Sequence, residues 1–173
     1  LQSKRLRIFL IGFMGSGKSY WGRLLADRLQ MPYADLDTAI EKASGKTIAL
    51  LFEEQGEEAF RKKEREMLES LIGSSPSLVL SAGGGTPCFF NNIELMKRSG
   101  TVVWLNPPIE VICERLSGEM EQRPLLRQVP LNELRSFILK KMNDRRLYYE
   151  QAQVHINEAG PDLESLIQQI LHE

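Results

Sequence analysis

A chain of 173 residues, 42% hydrophobic and 26% charged, is sized for one globular domain with a sizeable core and leaves no room for a second full domain. A formal net charge of −1 supplies no broad basic field, which argues against nucleic acid and membrane surfaces as partners and requires any anion to be met by locally placed cations. Two widely separated cysteines, Cys88 and Cys113, exclude a disulfide framework or a zinc site. The lack of an apolar run near the roughly 18 residues of a membrane span, and of an apolar signal core in Leu1–Arg5, gives the expectation of a soluble, cytoplasmic protein.

The apolar run Ile8–Ile11 reads as a first strand, and Gly12-Phe13-Met14-Gly15-Ser16-Gly17-Lys18-Ser19 follows it directly as G-x-x-x-x-G-K-S. In that setting the pattern is a P-loop. Its glycines, with Ser16, let the backbone turn its N–H groups onto a phosphate, Lys18 reaches the β- and γ-phosphates, and the Ser19 hydroxyl ligates Mg²⁺. A helix opening near Ser19 places its positive end beneath the same phosphates, and Trp21, Leu24, Leu25 and Leu29 carry its apolar stripe until Met31-Pro32. Tyr33–Leu36 is a short strand, and Asp37-Thr38 with Glu41 predicts a helix start with a capping box. Gly45 ends that helix. Helices are then expected over Thr47–Gln55 and Glu57–Ile72, separated by Gly56.

Leu78–Ser81 is a third strand, followed at once by Gly83-Gly84-Gly85-Thr86-Pro87, and Asn92–Arg98 is helical. Thr101–Leu105, apolar after its first residue, suits a strand buried on both faces. Pro108–Leu116 is helical, Ser117–Pro130 is polar and irregular, and Leu131–Ala152 is a long helix. Val154–Ile156 is a fifth strand and Asp162–His172 a closing helix. Strands alternating with helices predict an α/β fold in three layers, helices covering both faces of a five-stranded parallel sheet. Ligands of such folds gather at the carboxyl ends of the strands. There lie the P-loop, Asp35, Asp37 and the three glycines.

Two readings stay open for several of these residues. Asp35 and Asp37 lie two apart at a strand end, so that one organises Mg²⁺ through water and the other faces an acceptor hydroxyl, or Asp37 merely caps the next helix. Gly83–Gly85 either exposes N–H groups to a substrate or makes a plain tight turn. Arg61, inside the run Arg61-Lys62-Lys63-Glu64-Arg65-Glu66, reads in isolation as part of a solvated helix face. Arg123, beside Pro124, sits where a mobile segment would bring a cation over ATP. His155 and His172 have no partners at metal spacing.

Taken together the chain resembles the shikimate kinase family along nearly its whole length. The resemblance rests on Ile11–Ser19, Asp35-Leu36-Asp37-Thr38 with Ile40-Glu41, Gly56 through Phe60-Arg61 to Glu64, Gly83-Gly84-Gly85-Thr86-Pro87, Arg123-Pro124-Leu125-Leu126, and Arg145 with Tyr149-Glu150 and Ala152. It implies a P-loop kinase fold in one domain, with residues 37–72 as the substrate-binding segment and 117–130 as a lid, and a monomer that uses ATP and Mg²⁺ to phosphorylate the 3-hydroxyl of shikimate. By position, Lys18, Asp37 and Arg123 are the implied catalytic residues. Gly12, Gly15, Ser16, Gly17, Lys18, Ser19, Tyr20, Arg115 and Arg123 would bind ATP, with Arg115 against the adenine. Asp37 would take the substrate hydroxyls. Arg61 and Arg145, with Gly83, Gly84 and Gly85, would hold the carboxylate, Glu64 orienting Arg61, while Phe52, Phe60, Pro124 and Leu125 wall the pocket. Ser19 and, through water, Asp35 are the implied metal ligands. The family's Arg-x-Pro-x-Tyr is here Arg145-Arg146-Leu147-Tyr148-Tyr149, which makes Arg146 a rival to Arg145, although Arg145 keeps the spacing to Tyr149. Competing expectations are a gluconate or nucleoside monophosphate kinase, or a nucleotide-binding module without chemistry.

Overall fold

The fold was obtained as a computed structural model that describes residues 6–172; the Leu1–Arg5 segment considered for a leader lies outside the described residues. In chain order the elements are β1 (Arg7–Ile11), α1 (Lys18–Leu29), β2 (Tyr33–Asp35), α2 (Leu36–Ser44), α3 (Ile48–Ser74), β3 (Leu78–Ser81), α4 (Asn92–Ser99), β4 (Thr101–Leu105), α5 (Ile109–Ser117), α6 (Leu134–Tyr149), β5 (Val154–Ile156) and α7 (Leu163–Leu171), with short 3-10 turns at Thr86–Cys88, Met120–Gln122 and Leu131–Glu133. The five strands form one parallel sheet in the order β2-β3-β1-β4-β5.

The strand alternation explains the layers. In β1, Phe9 and Ile11 point to one face and Ile8 and Leu10 to the other, and all four are fully buried, as a central parallel strand requires. Phe9 and Ile11 join Leu80, Val102 and Trp104 beneath α2, α3, α4 and the end of α6. Ile8 and Leu10 join Val79, Val103 and Leu105 against α1 and α7. A third cluster, Phe13, Ile112, Leu116, Leu126, Leu134 and Ile138, ties α5 and α6 to the P-loop and pins the irregular segment through Leu126. No helix among the described residues is long and apolar enough to cross a membrane.

Two expectations change and one holds. The N-cap of α2 is Asp35, whose Oδ1 accepts from the Thr38 N–H at 3.0 Å, so the helix starts two residues earlier than the expected capping box and Asp37 lies in its first turn. The break expected at Gly56 is present: its φ 78° and ψ 171° are non-helical, so two helical halves, together spanning Ile48–Ser74, meet at a kink there, in backbone that a side chain strongly disfavours. The helix expected over Leu131–Ala152 starts as a 3-10 turn, is α-helical over Leu134–Tyr149 and stops before the turn that feeds β5.

Candidate active site

The P-loop takes its shape from glycines with positive φ. Gly12 has φ 145°, and a Cβ there would stand 2.5 Å from the Leu105 carbonyl oxygen of β4, so the loop can leave β1 against its neighbour only at glycine. α1 opens at Gly17 with no side-chain cap, leaving its first-turn N–H groups available for an anion. Lys18 Nζ donates to the carbonyls of Gly12 (2.7 Å) and Phe13 (3.0 Å), which stretches the ammonium across the mouth of the loop. Burial lowers its pKa to about 8; Asp37 opposes the shift, while Arg123 and Arg145 add to it. Ser16 Oγ is buried without a partner.

Ser19, one residue on, donates its hydroxyl to Asp35 Oδ2 at 3.1 Å. Asp35 therefore fastens the start of α1 to the start of α2 while capping the latter. The backbone behind them is tied as well: Tyr33 Oη donates to Ser81 Oγ (3.1 Å), and Ser81 Oγ donates to the Lys18 carbonyl (2.9 Å). Asp37 faces the cavity instead of capping. Burial, and then the carboxylates of Glu64 and Asp35, push its pKa up to about 6, opposed by Lys18.

The glycine triplet is decided by what lies against it. None of Gly83, Gly84 and Gly85 has the left-handed φ that would demand glycine, yet each is hemmed in by a side chain that bears on the site. A Cβ on Gly85 would meet Arg61 Nη2 at 2.5 Å, one on Gly84 would meet Arg145 Nη1 at 3.0 Å, and one on Gly83 would meet Asp37 Oδ1 at 3.1 Å and Glu64 Oε2 at 3.2 Å. The turn is glycine so that cations and carboxylates can crowd the main chain.

Arg61 is only 8% exposed, against the expectation of a solvated face drawn from its charge run alone. Its Nη1 donates to Glu64 Oε1 at 2.9 Å, its guanidinium stacks 4.2 Å from the Phe89 ring centroid, and its Nε has no partner. Glu64, 1% exposed, takes the Thr86 hydroxyl on its other oxygen at 2.7 Å, so the orienting carboxylate is itself held from two sides. Arg145 enters the same space from α6, above the Phe13 ring at 5.5 Å, whereas Arg146 faces outward and pairs with Glu150. Adjacent residues on a helix point about 100° apart, and of the two arginines Arg145 is the one directed into the cavity.

These groups line one cavity of about 900 Å³ at the carboxyl ends of β1, β2 and β3. Gly15, Gly17, Lys18, Ser19, Tyr20 and Arg115 line its P-loop end; Arg115 Nη1 also donates to the Gly15 carbonyl at 2.9 Å. Phe52, Phe60 and Leu125 supply apolar wall at the other end, where Arg61, Glu64 and Arg145 stand. Three expected residues do not line it. Gly12 and Ser16 lie behind the loop as its supports, and Pro124 is exposed on the surface, because the chain there turns Leu126 into the third core cluster and Leu125 towards the cavity. Arg123 reaches the rim but is held by Glu119, its Nε and Nη2 donating to Oε2 at 2.8 and 2.5 Å. The sequence reading missed Trp21, Glu119 and the turn Ala159–Pro161, all of which line the cavity. The i,i+4 spacing of Glu119 and Arg123 signals the first contact; nothing local signals the turn.

The shikimate kinase family model matches residues 14–173. The chain belongs to the shikimate kinase family. A shikimate kinase from Azobacteroides pseudotrichonymphae is 42% identical over 148 residues, 86% of this chain and 87% of the relative. The crystal structure of shikimate kinase from Bacteroides thetaiotaomicron has a TM-score of 0.88 at 39% identity, covering 96% of this chain and 97% of that one. Shikimate kinase from Acinetobacter baumannii, solved in complex with shikimate, has a TM-score of 0.84 at 36% identity, covering 98% and 93%. The family's three-layer P-loop kinase fold is the one described above, with all five strands parallel.

Proposed function

We propose that this member of the shikimate kinase family transfers the γ-phosphoryl group of ATP to the 3-hydroxyl of shikimate, giving shikimate 3-phosphate and ADP. The observation that carries the reading is the meeting of Arg61 and Arg145 on the glycine triplet, in the same cavity as Lys18 and Asp37. Two guanidiniums and free main-chain N–H groups suit a carboxylate, and a P-loop beside them suits a triphosphate. Neither gluconate nor a nucleoside monophosphate accounts as well for an apolar-walled pocket with this charge pattern.

In this reading Arg61, Arg145 and the N–H groups of Gly83–Gly85 hold the substrate carboxylate, with Glu64 orienting Arg61. Phe52, Phe60 and Leu125 pack the ring. Asp37 accepts hydrogen bonds from the ring hydroxyls and aims the attacking oxygen at phosphorus, taking its proton as the bond forms. The loose transition state of phosphoryl transfer rewards placement and charge neutralisation over covalent chemistry. Lys18 leaves the Gly12 and Phe13 carbonyls for the phosphates, and Arg123 exchanges Glu119 for them. Tyr20 and Arg115 flank the nucleotide. Ser19 Oγ and Asp35 Oδ2, hard oxygens 3.1 Å apart beside Lys18, fit Mg²⁺, Ser19 directly and Asp35 through water. The ion, when bound, neutralises charge shared by the β- and γ-phosphates.

Residues 37–72 then serve as the substrate-binding segment and 117–130 as a lid anchored by Leu126. Because one chain supplies every group named, we also propose that the protein acts as a monomer, in the cytoplasm where ATP is present, without nucleic acid or membrane partners. An ADP-release assay with Mg²⁺–ATP and shikimate, gluconate or AMP tests the activity. Release that depends on shikimate alone is expected; release driven by gluconate or AMP, or by no acceptor, rejects the assignment.

A further inference from the structure

The strongest unexplained polar contact in the site belongs to Tyr149. Its side chain is fully buried against Trp104, yet its hydroxyl donates to the Gly84 carbonyl at 2.6 Å, a span of 65 residues in sequence. The Gly84–Gly85 peptide, like Gly83–Gly84 before it, has glycine on both sides, so no Cβ of its own fixes its orientation and an external contact can set it. In a trans peptide the C=O and N–H point in opposite directions, and the chain has no cis peptide among the described residues. A carbonyl drawn to Tyr149 on the core side therefore turns the Gly85 N–H to the other side. Gly84 and Gly85 line the cavity while Tyr149 does not, so that other side is the cavity. None of the described hydrogen bonds uses the Gly85 N–H. Arg145, one helical turn before Tyr149, sits beside the same phenol with Nη1 near Gly84.

We propose that Tyr149 is a positioning residue for the acceptor carboxylate: its phenol locks the Gly84–Gly85 peptide so that the Gly85 N–H faces the substrate, between Arg61, which lies against Gly85, and Arg145, which lies against Gly84. The inference rests on the carboxylate reading of the site given above. Burial keeps this phenol a donor throughout the working pH range by pushing its pKa up to about 12.

Tyr149→Phe removes only the hydroxyl and keeps the ring against Trp104. Loss of one oriented donor to a charged group predicts a rise in KM for shikimate of about tenfold, with KM for ATP unchanged and kcat changed far less. For a shikimate analogue with hydrogen in place of the carboxylate, kcat/KM of variant and wild type should be equal. An unchanged KM for shikimate, or equal losses on both acceptors, overturns the proposal. If the variant does not fold, the wild-type protein still decides: the Gly85 amide resonance should move downfield as shikimate saturates the site. A Gly85 resonance that stays put while others shift overturns it. Failure of the wild type to release ADP with shikimate would instead remove the functional assignment on which the proposal rests, a separate and recognisable result.

Discussion

Asp37 and Arg61 show how strongly surroundings reset a side chain. Asp37 lies among Glu64 and Asp35 in a largely desolvated position, and its carboxyl titrates at about 6 instead of near 3.8. A group whose folded pKa lies above its unfolded one binds more protons folded than unfolded between those values, so stability falls as pH rises from about 4 to 6 and the cost of the buried charge is complete above that. Asp37→Asn should thus be more stable than wild type at pH 7, by on the order of 1–2 kcal/mol, and lose that advantage below pH 4; denaturant titrations at both pH values measure it. The same variant should lose kcat by about a hundredfold. Wild-type kcat/KM for shikimate should fall as pH drops through about 6, and a flat profile from pH 5 to 8 would remove Asp37 from the proton transfer.

Arg61 makes the complementary case. Removing it leaves the P-loop intact but takes away one of two guanidiniums from the carboxylate, so Arg61→Ala should raise KM for shikimate by about a hundredfold while KM for ATP stays within about twofold. Equal damage to both constants would mean that the buried Glu64, stripped of its partner, had disrupted the site as a whole.

At the scale of elements, the kinked α3 governs the substrate end of the cavity. The kink at Gly56 sets the direction of the half that carries Phe60, Arg61 and Glu64, while the preceding half carries Phe52, whose ring lies 4.5 Å from that of Phe60. Space is not the constraint at Gly56, since nothing stands within 4 Å of its missing Cβ. The constraint is the backbone, at φ 78° and ψ 171°. Gly56→Ala should cost roughly 2 kcal/mol, lowering Tm by about 5 °C, and should raise KM for shikimate more than KM for ATP as Arg61 shifts. A variant with unchanged Tm would show that the bend is not needed. The glycine in the sequence marks the break; that both helical halves continue on either side of it depends on Leu51, Phe60 and Leu68 all finding the same core.

For the molecule as a whole, the site joins groups seated on the sheet to groups on an exposed connecting stretch. The P-loop, Asp35 and the triplet are seated on β1, β2 and β3, whereas Arg123 rides on an exposed stretch held chiefly by Leu126 and by the Arg123–Glu119 pair. A half-exposed ion pair of this kind is worth little, so phosphate oxygens should replace Glu119 readily. Trypsin should cleave after the exposed Arg127, and a non-hydrolysable ATP analogue with shikimate should slow that cut by about tenfold relative to the free protein. Equal cleavage rates would argue against ligand-linked ordering of residues 117–130.

The alternation of strands and helices, the P-loop and the glycines at strand ends were readable directly, because each follows from local periodicity or from a backbone demand confined to a few adjacent residues. From those alone came the three-layer parallel fold, the phosphate site and the edge of the sheet where chemistry belongs. The roles open at Asp37, Arg61 and Arg145 could not be closed that way. Whether Asp37 caps a helix or faces a cavity depends on Asp35 having taken the cap. Whether Arg61 is solvated or buried depends on Gly85, Glu64 and Phe89 arriving from other parts of the chain. The turn Ala159–Pro161 joins the cavity only because β5 lies beside β4. Burial and charge pairing are sums over neighbours distant in sequence, and only the folded chain decides which neighbours those are.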